Sequence, residues 1–380
     1  MTTVETTLSL QVQSLIDSHI AAGRQIGVQV AVYKDGEQIV EAVAGTMGPE
    51  DARPMQSDSL TCAFSVTKGV ASTAIHILAD RGEIEYDVPV AKYWPAFAKH
   101  GKDRVTVAQA MSHQVGLYAM RRPFSPAHAS DWEGGLRYME EGAPAWEPGT
   151  ATGYHAFTWG WIVGGIVQGA TGRHIKDVIR EEIAEPLGVA NEMYVGIPDG
   201  VEERLTTLDT STMGQAGGPI PPEHAMFDAM PPDMWAHFNG MEVRRACVPS
   251  GNGHFTARAV AKMYGALANG GEVEGVRLVS PDRVKHMQRL MTNEPDRVII
   301  APIRKSIGYF MGGLTNGIAG PMGPRESAFG HPGAGGATAF ADPQVGLAIA
   351  VIHNKMANEG PGQGTSLEIC DLIRRELGVA

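Results

Sequence analysis

Strand-like runs stand at both ends of this chain and helical patterns fill the space between, which implies one sheet assembled from the two termini. Near the start, "IGVQVAVYKDGEQIVEAVAGTMG" alternates apolar and polar residues on either side of Asp35-Gly36, the pattern of a β-hairpin closed by a primed turn. Near the end, "SIGYFMGG", "ESAFGHPGAGGATAFADP" and "VGLAIAVIHN" are three further strand-like runs, and "TSLEICDLIRREL" follows with a helical period. A first amphipathic helix carries Leu8, Leu10, Val12, Leu15, Ile16 and Ile20. The middle is dominated by helical patterns such as "AVAKMYGALANGG" at 259–271, with its glycine stop. The expected architecture is an α/β domain built from residues 1–75 and 300–380, a mostly helical domain from 76–299, and a cleft between them. Residues 205–250, rich in Pro, Met and Gly without a clean period, are expected to wander over the surface or over that cleft.

Composition narrows the function. A chain of 380 residues with 43% hydrophobic content can bury a large core, and its formal charge of −11 argues against coating nucleic acid or an anionic membrane. Cys62, Cys247 and Cys370 are odd in number and far apart, so neither a disulfide framework nor a zinc site is expected. No HExxH, paired-carboxylate spacing or HxH set suggests a metal, and no GxxxxGK or helix-opening GxGxxG suggests a nucleotide. No cofactor is therefore expected. The N-terminus shows no secretion signal, and the apolar run "WGWIVGGIVQGA" at 159–170 is too short to span a bilayer. A cytoplasmic setting follows as an expectation; the oligomeric state is not legible.

The chemistry begins at "FSVTKG", residues 64–69. With 16 serines and 10 lysines in the chain, chance supplies about 0.4 of a Ser-x-x-Lys, so spacing alone decides nothing. Position decides more. The run behind Ser65 places Val66, Val70, Ala74, Ile77 and Leu78 on one stripe and stops at Gly82, so Ser65 opens a helix. Lys68 then lies on the same face as Ser65, and the free N–H groups of the helix start suit an oxyanion. Read by itself, the segment fits an N-cap serine and a solvated lysine as well. Two more segments matter. "FGHPGAGGATAF" at 329–340 is a glycine-rich strand that lets a substrate approach and can supply a second oxyanion N–H. In "WEPGTATGYHAFTWGWIVGGIVQGATG", Tyr154 precedes an apolar helix, fit for packing or for sharing acid–base work with a lysine.

Taken in order, the three segments resemble the serine β-lactamase and penicillin-binding superfamily, in particular class C β-lactamases, DD-peptidases and family VIII carboxylesterases. "GEIEYDVPVAKYWPAFA", "QAMSHQVGL" and "GNGHFTARAVAKMYGALANGG" extend the likeness over most of the chain. The resemblance implies a β-lactamase-like (DD-peptidase-like) α/β fold, an antiparallel sheet flanked by helices with a mostly helical second domain. It makes Ser65 the acylated nucleophile, Lys68 the SxxK lysine and Tyr154 the tyrosine of the second motif. His331-Pro332-Gly333 stands where β-lactamases have Lys-Thr-Gly, and Ala334 would share the oxyanion with the Ser65 N–H.

Two departures shift the expected substrate. The second motif reads "YHA", so Ala156 lacks the amide-recognising side chain, with His155 a partial replacement. His331 replaces a lysine, and a mostly neutral imidazole is a poor partner for a substrate carboxylate. His155, His331 and Gly333 are the expected substrate contacts, whereas His113 and His254 are expected to pack or cap. Trp132, Trp146, Trp159, Trp161 and Trp235 wall an acyl pocket or fill core. The expectation is a cofactor-free serine esterase acting on short-chain or bulky carboxylic esters. An acyltransferase or an amide or β-lactam hydrolase on the same site is the nearest rival, and an inactive scaffold or binding protein is the reading from another class. The GxSxG elbow of α/β-hydrolases is absent.

Overall fold

The computed structural model of the chain describes residues 3–213, 224–357 and 362–380. Strands β1 (Gly27–Lys34) and β2 (Glu37–Gly45) form the expected hairpin, with Asp35 and Gly36 at φ 50° and 83°. Positive φ at both turn residues matches the strand twist and is why Asp-Gly stands there. The far end contributes β3 (Phe310–Met311), β4 (Phe329–Pro332), β5 (Thr338–Asp342) and β6 (Leu347–His353). The order is β2-β1-β6-β5-β4-β3, antiparallel throughout. β1 against β6 is the seam between the two chain ends, Val28 opposite His353 and Lys34 opposite Leu347.

The alternating pattern of β1 implies one wet face, but both faces are buried. Val28, Val30 and Val32 join Leu8, Val12 and Ile16 of helix α1 (Thr3–Ala21) and Ile369 and Ile373 of the last long helix in one core. Ala31 and Tyr33 join the second core, with Tyr264. The polar member, Gln29, is buried but satisfied: Nε2 donates to Gln56 O and Ser59 O at 2.7 and 3.0 Å, and Oε1 accepts the Ala257 N–H. Leu10, expected on the apolar stripe of α1, is 67% exposed instead.

Helix α2 (Val66–Asp80) is buried from Val66 to Ala79, so it is a central element rather than an amphipathic one. Helix α3 (Thr158–Thr171) packs beside it. Helix α4 (Ala257–Ala268) lies against β6, β1 and β5, so the expected helical span of 76–299 contains a helix that belongs to the sheet's own layer. Gly265 permits that approach, because a Cβ there would sit 2.8 Å from the Tyr33 ring. A small sheet of Thr61–Cys62, Gly253–Phe255 and Met193–Val195 steers the chain into α2. Of residues 205–250, the stretch 214–223 lies outside the described residues. Residues 225–245 form short helical turns whose Trp235 and Phe238 pack on Phe64, ring centroids 5.7 and 4.8 Å away. Among the described residues, no helix is long and apolar enough to cross a membrane.

Candidate active site

Ser65 is the N-cap of α2 and partly open to solvent. The residue before it, Phe64, is held at φ 46°, a left-handed conformation that costs a side-chain-bearing residue on the order of 1–2 kcal/mol. Trp235 and Phe238 clamp its ring, so packing sustains the sharp entry that turns the Ser65 side chain to the surface. Thr67 Oγ1 braces the same turn by donating to Phe64 O and accepting the Gly253 N–H.

Lys68, one turn in, is 0% exposed. Its Nζ lies 3.2 Å from Ser65 Oγ and donates to Ala156 O at 2.6 Å and Ser250 O at 2.8 Å. The Tyr154 ring centroid is 4.8 Å from Nζ. No carboxylate bonds it among the described residues, and burial holds its pKa well below the usual lysine value. Two of its three partners are main-chain carbonyls. Ala156, which has no side chain to offer, serves through its backbone, and Ser250 had no recognised signal beyond the turn-like Pro249-Ser250-Gly251.

Tyr154 completes the trio: its O–H donates to Ser65 Oγ at 2.7 Å. Its ring lies among His113, Phe310 and His331, centroids 5.1, 5.5 and 5.8 Å away. Burial raises its pKa well above the usual tyrosine value, opposed by the Ser65 bond and reinforced by the Asp296 charge, so the phenol is neutral. Its backbone N–H donates to Asp296 Oδ1 at 3.0 Å. Asp296 Oδ2 in turn faces Lys305 Nζ at 2.7 Å. Burial pushes the Asp296 pKa up, but Lys305 and the backbone donors outweigh it and hold the carboxyl below its usual range. Neither Asp296 nor Lys305 lies in a motif that marks it in the sequence.

The three expected substrate contacts bond to the protein's own backbone. His155 is 1% exposed, its Nδ1–H donates to Gly153 O and its Nε2 accepts the Leu117 N–H, so the ring is committed to backbone. Burial lowers its pKa to about 4, opposed by the Gly153 bond. His331 is likewise 1% exposed and stacks on the Tyr154 ring, with the Phe310 ring tilted against it at 4.3 Å and Nδ1 against Pro332 O. Burial, then the nearby Lys68, holds its pKa well below normal, so it offers no cation to a carboxylate. Gly333 spends its N–H on Ala337 O. What Gly333 contributes is room: a Cβ would sit 2.4 Å from Ala63 O, so the turn 333–336 lies directly against the chain entering Ser65. No acceptor among the described residues takes the Ser65 or the Ala334 N–H. His113 and His254 pack and bond to backbone, His113 Nδ1 accepting the His155 N–H.

Residues 12–369 match the family model described as Beta-lactamase. The chain is 36% identical over 358 residues to the esterase/beta-lactamase LipL of Mycobacterium tuberculosis, covering 88% of this chain and 78% of that one. The crystal structure of a family VIII carboxylesterase superposes with a TM-score of 0.88 at 32% identity, over 97% of each chain. A penicillin-binding protein homologue from Caulobacter crescentus gives the same TM-score of 0.88 at 34% identity, again over 97% of each chain.

Proposed function

The chain belongs to the beta-lactamase family of serine hydrolases, and from that premise we propose that it hydrolyses carboxylic esters through an acyl-enzyme on Ser65. One observation carries the reading: Lys68 and Tyr154 both reach Ser65 Oγ, and Lys68 is buried with no carboxylate bonded to it among the described residues. A neutral amine has two N–H groups and one lone pair. Ala156 O and Ser250 O take the two N–H groups, which leaves the lone pair for the Ser65 hydroxyl.

As Ser65 Oγ bonds the ester carbonyl carbon, its proton passes to Lys68 Nζ and the carbonyl oxygen becomes an oxyanion between the Ser65 and Ala334 N–H groups. Collapse breaks the bond to the alkoxy oxygen, which takes the Tyr154 proton, and Tyr154 recovers one from Lys68. Water then gives a proton back along the same route, its oxygen bonds the acyl carbon, and Ser65 leaves with its hydrogen. The balance is ester plus water to acid plus alcohol.

Esters are favoured over β-lactams because Ala156 has no amide side chain for the substrate and His331 is buried and neutral. Unpaired Cys62, Cys247 and Cys370 support a reducing, cytoplasmic setting. The test is turnover of p-nitrophenyl acetate, butyrate and octanoate, with nitrocefin alongside, by wild type and Ser65→Ala. Ester turnover that disappears in the variant, with nitrocefin slower by kcat/KM, is expected. Equal turnover of nitrocefin returns the amide hydrolase, and none of either substrate leaves a scaffold.

A further inference from the structure

We propose that the buried Asp296–Lys305 pair is a positioning device that sets the Tyr154 hydroxyl against Ser65, an inference that rests on the ester-hydrolase reading. The pair sits at 1% and 0% exposure with Oδ2 and Nζ 2.7 Å apart. Its other atoms point at the segment that carries Tyr154. Asp296 Oδ1 accepts the Tyr154 N–H at 3.0 Å, and the Val298 and Ile299 N–H groups at 2.8 Å each. Lys305 Nζ donates to Thr152 Oγ1 at 2.8 Å, and the Arg297 N–H donates to Thr152 O at 2.9 Å. The stretch 152–154 is therefore held by both members of the pair.

The pair is itself held. Asp296 N–H bonds Ala301 O and Ile300 N–H bonds Asp296 O, a closed loop in which Ile300 adopts φ 60°, disfavoured for a β-branched side chain. The backbone of Lys305 pairs with Phe310, whose ring lies 5.5 Å from that of Tyr154. A buried ion pair adds little net stability over apolar residues of the same shape, so stability does not account for it. Placement does. A displaced catalytic group loses on the order of a hundredfold per ångström, and Tyr154 has a 2.7 Å bond to keep.

The experiment separates proton delivery from folding. A p-nitrophenyl ester leaves as a stable phenolate with little need of a proton, whereas the ethyl ester of the same acid leaves as an alkoxide that needs one from Tyr154. Two charge-balanced variants differ in one acceptor: Asp296→Asn/Lys305→Met keeps an oxygen for the Tyr154 N–H, and Asp296→Ala/Lys305→Met does not. The ratio of kcat/KM for ethyl over p-nitrophenyl ester is expected to fall about 10-fold or more in the alanine variant and to stay within about threefold in the asparagine variant. Equal losses on both esters, or identical ratios in the two variants, overturn the proposal. If the alanine variant does not fold, Thr152→Val, which removes one Lys305 bond, is expected to lower the ratio about threefold, and an unchanged ratio overturns the proposal. A wild type inert on both esters overturns the ester reading and this inference with it, whereas active wild type with unselective variants overturns the inference alone.

Discussion

Lys68 and Lys305 are both 0% exposed, both bonded on nearly every side, and about equally deep. They differ in the charge of their neighbours. Lys305 faces the Asp296 carboxylate at 2.7 Å, whereas Lys68 faces two carbonyls and a serine hydroxyl. Burial lowers the pKa of each; at Lys305 the Asp296 charge opposes that fall, whereas at Lys68 no carboxylate among the described residues does, and its pKa falls well below the usual value. Burial makes a lysine willing to be neutral, and the presence of a counter-ion decides whether it is. One lysine stands in a buried ion pair, and the other meets only uncharged partners among the described residues.

The sharpest break is Lys68→Met. It removes the base without leaving an unpaired charge, so kcat/KM on p-nitrophenyl butyrate is expected to fall about 10³–10⁴-fold, ~4–5.5 kcal/mol of transition-state stabilisation. The urea midpoint is expected to fall as well, because Ala156 O and Ser250 O lose their buried donor, at about 1–3 kcal/mol for each carbonyl left unpaired. Lys305→Met removes one half of a buried ion pair. It strands Asp296 in the core, and urea unfolding is expected to report a loss of about 3–5 kcal/mol, most of which Asp296→Asn in the same chain restores.

The smallest effect is in pH. Above the unfolded lysine value both folded and unfolded chains hold Lys68 neutral. Between that value and the lower folded one, the unfolded chain binds a proton that the native chain does not. Stability from this residue therefore falls as pH is lowered through that window, by at most about 1.4 kcal/mol per unit. Unfolding free energies measured across alkaline pH should slope accordingly in wild type and flatten in Lys68→Met. A wild-type curve as flat as the variant's would mean Lys68 is charged in the native state.

What was legible beforehand is local. The Asp35-Gly36 hairpin, the strands at both termini and the helix opening at Ser65 follow from patterns of two, three or four residues, and a period that short is written in neighbouring letters. The same reach put Lys68 beside Ser65. The sequence by itself thus determined the sheet of two chain ends and the serine and lysine on one helical face. Only the tertiary structure decided the rest. It alone brings Ala156 O and Ser250 O, 88 and 182 positions from Lys68, to its ammonium group. It alone buries His155 and His331, and it alone joins Asp296 to Tyr154 and Lys305 to Thr152. The physical reason is that every residue carries a carbonyl and an N–H, so a backbone ligand leaves no mark in the sequence, and burial belongs to what the chain packs against.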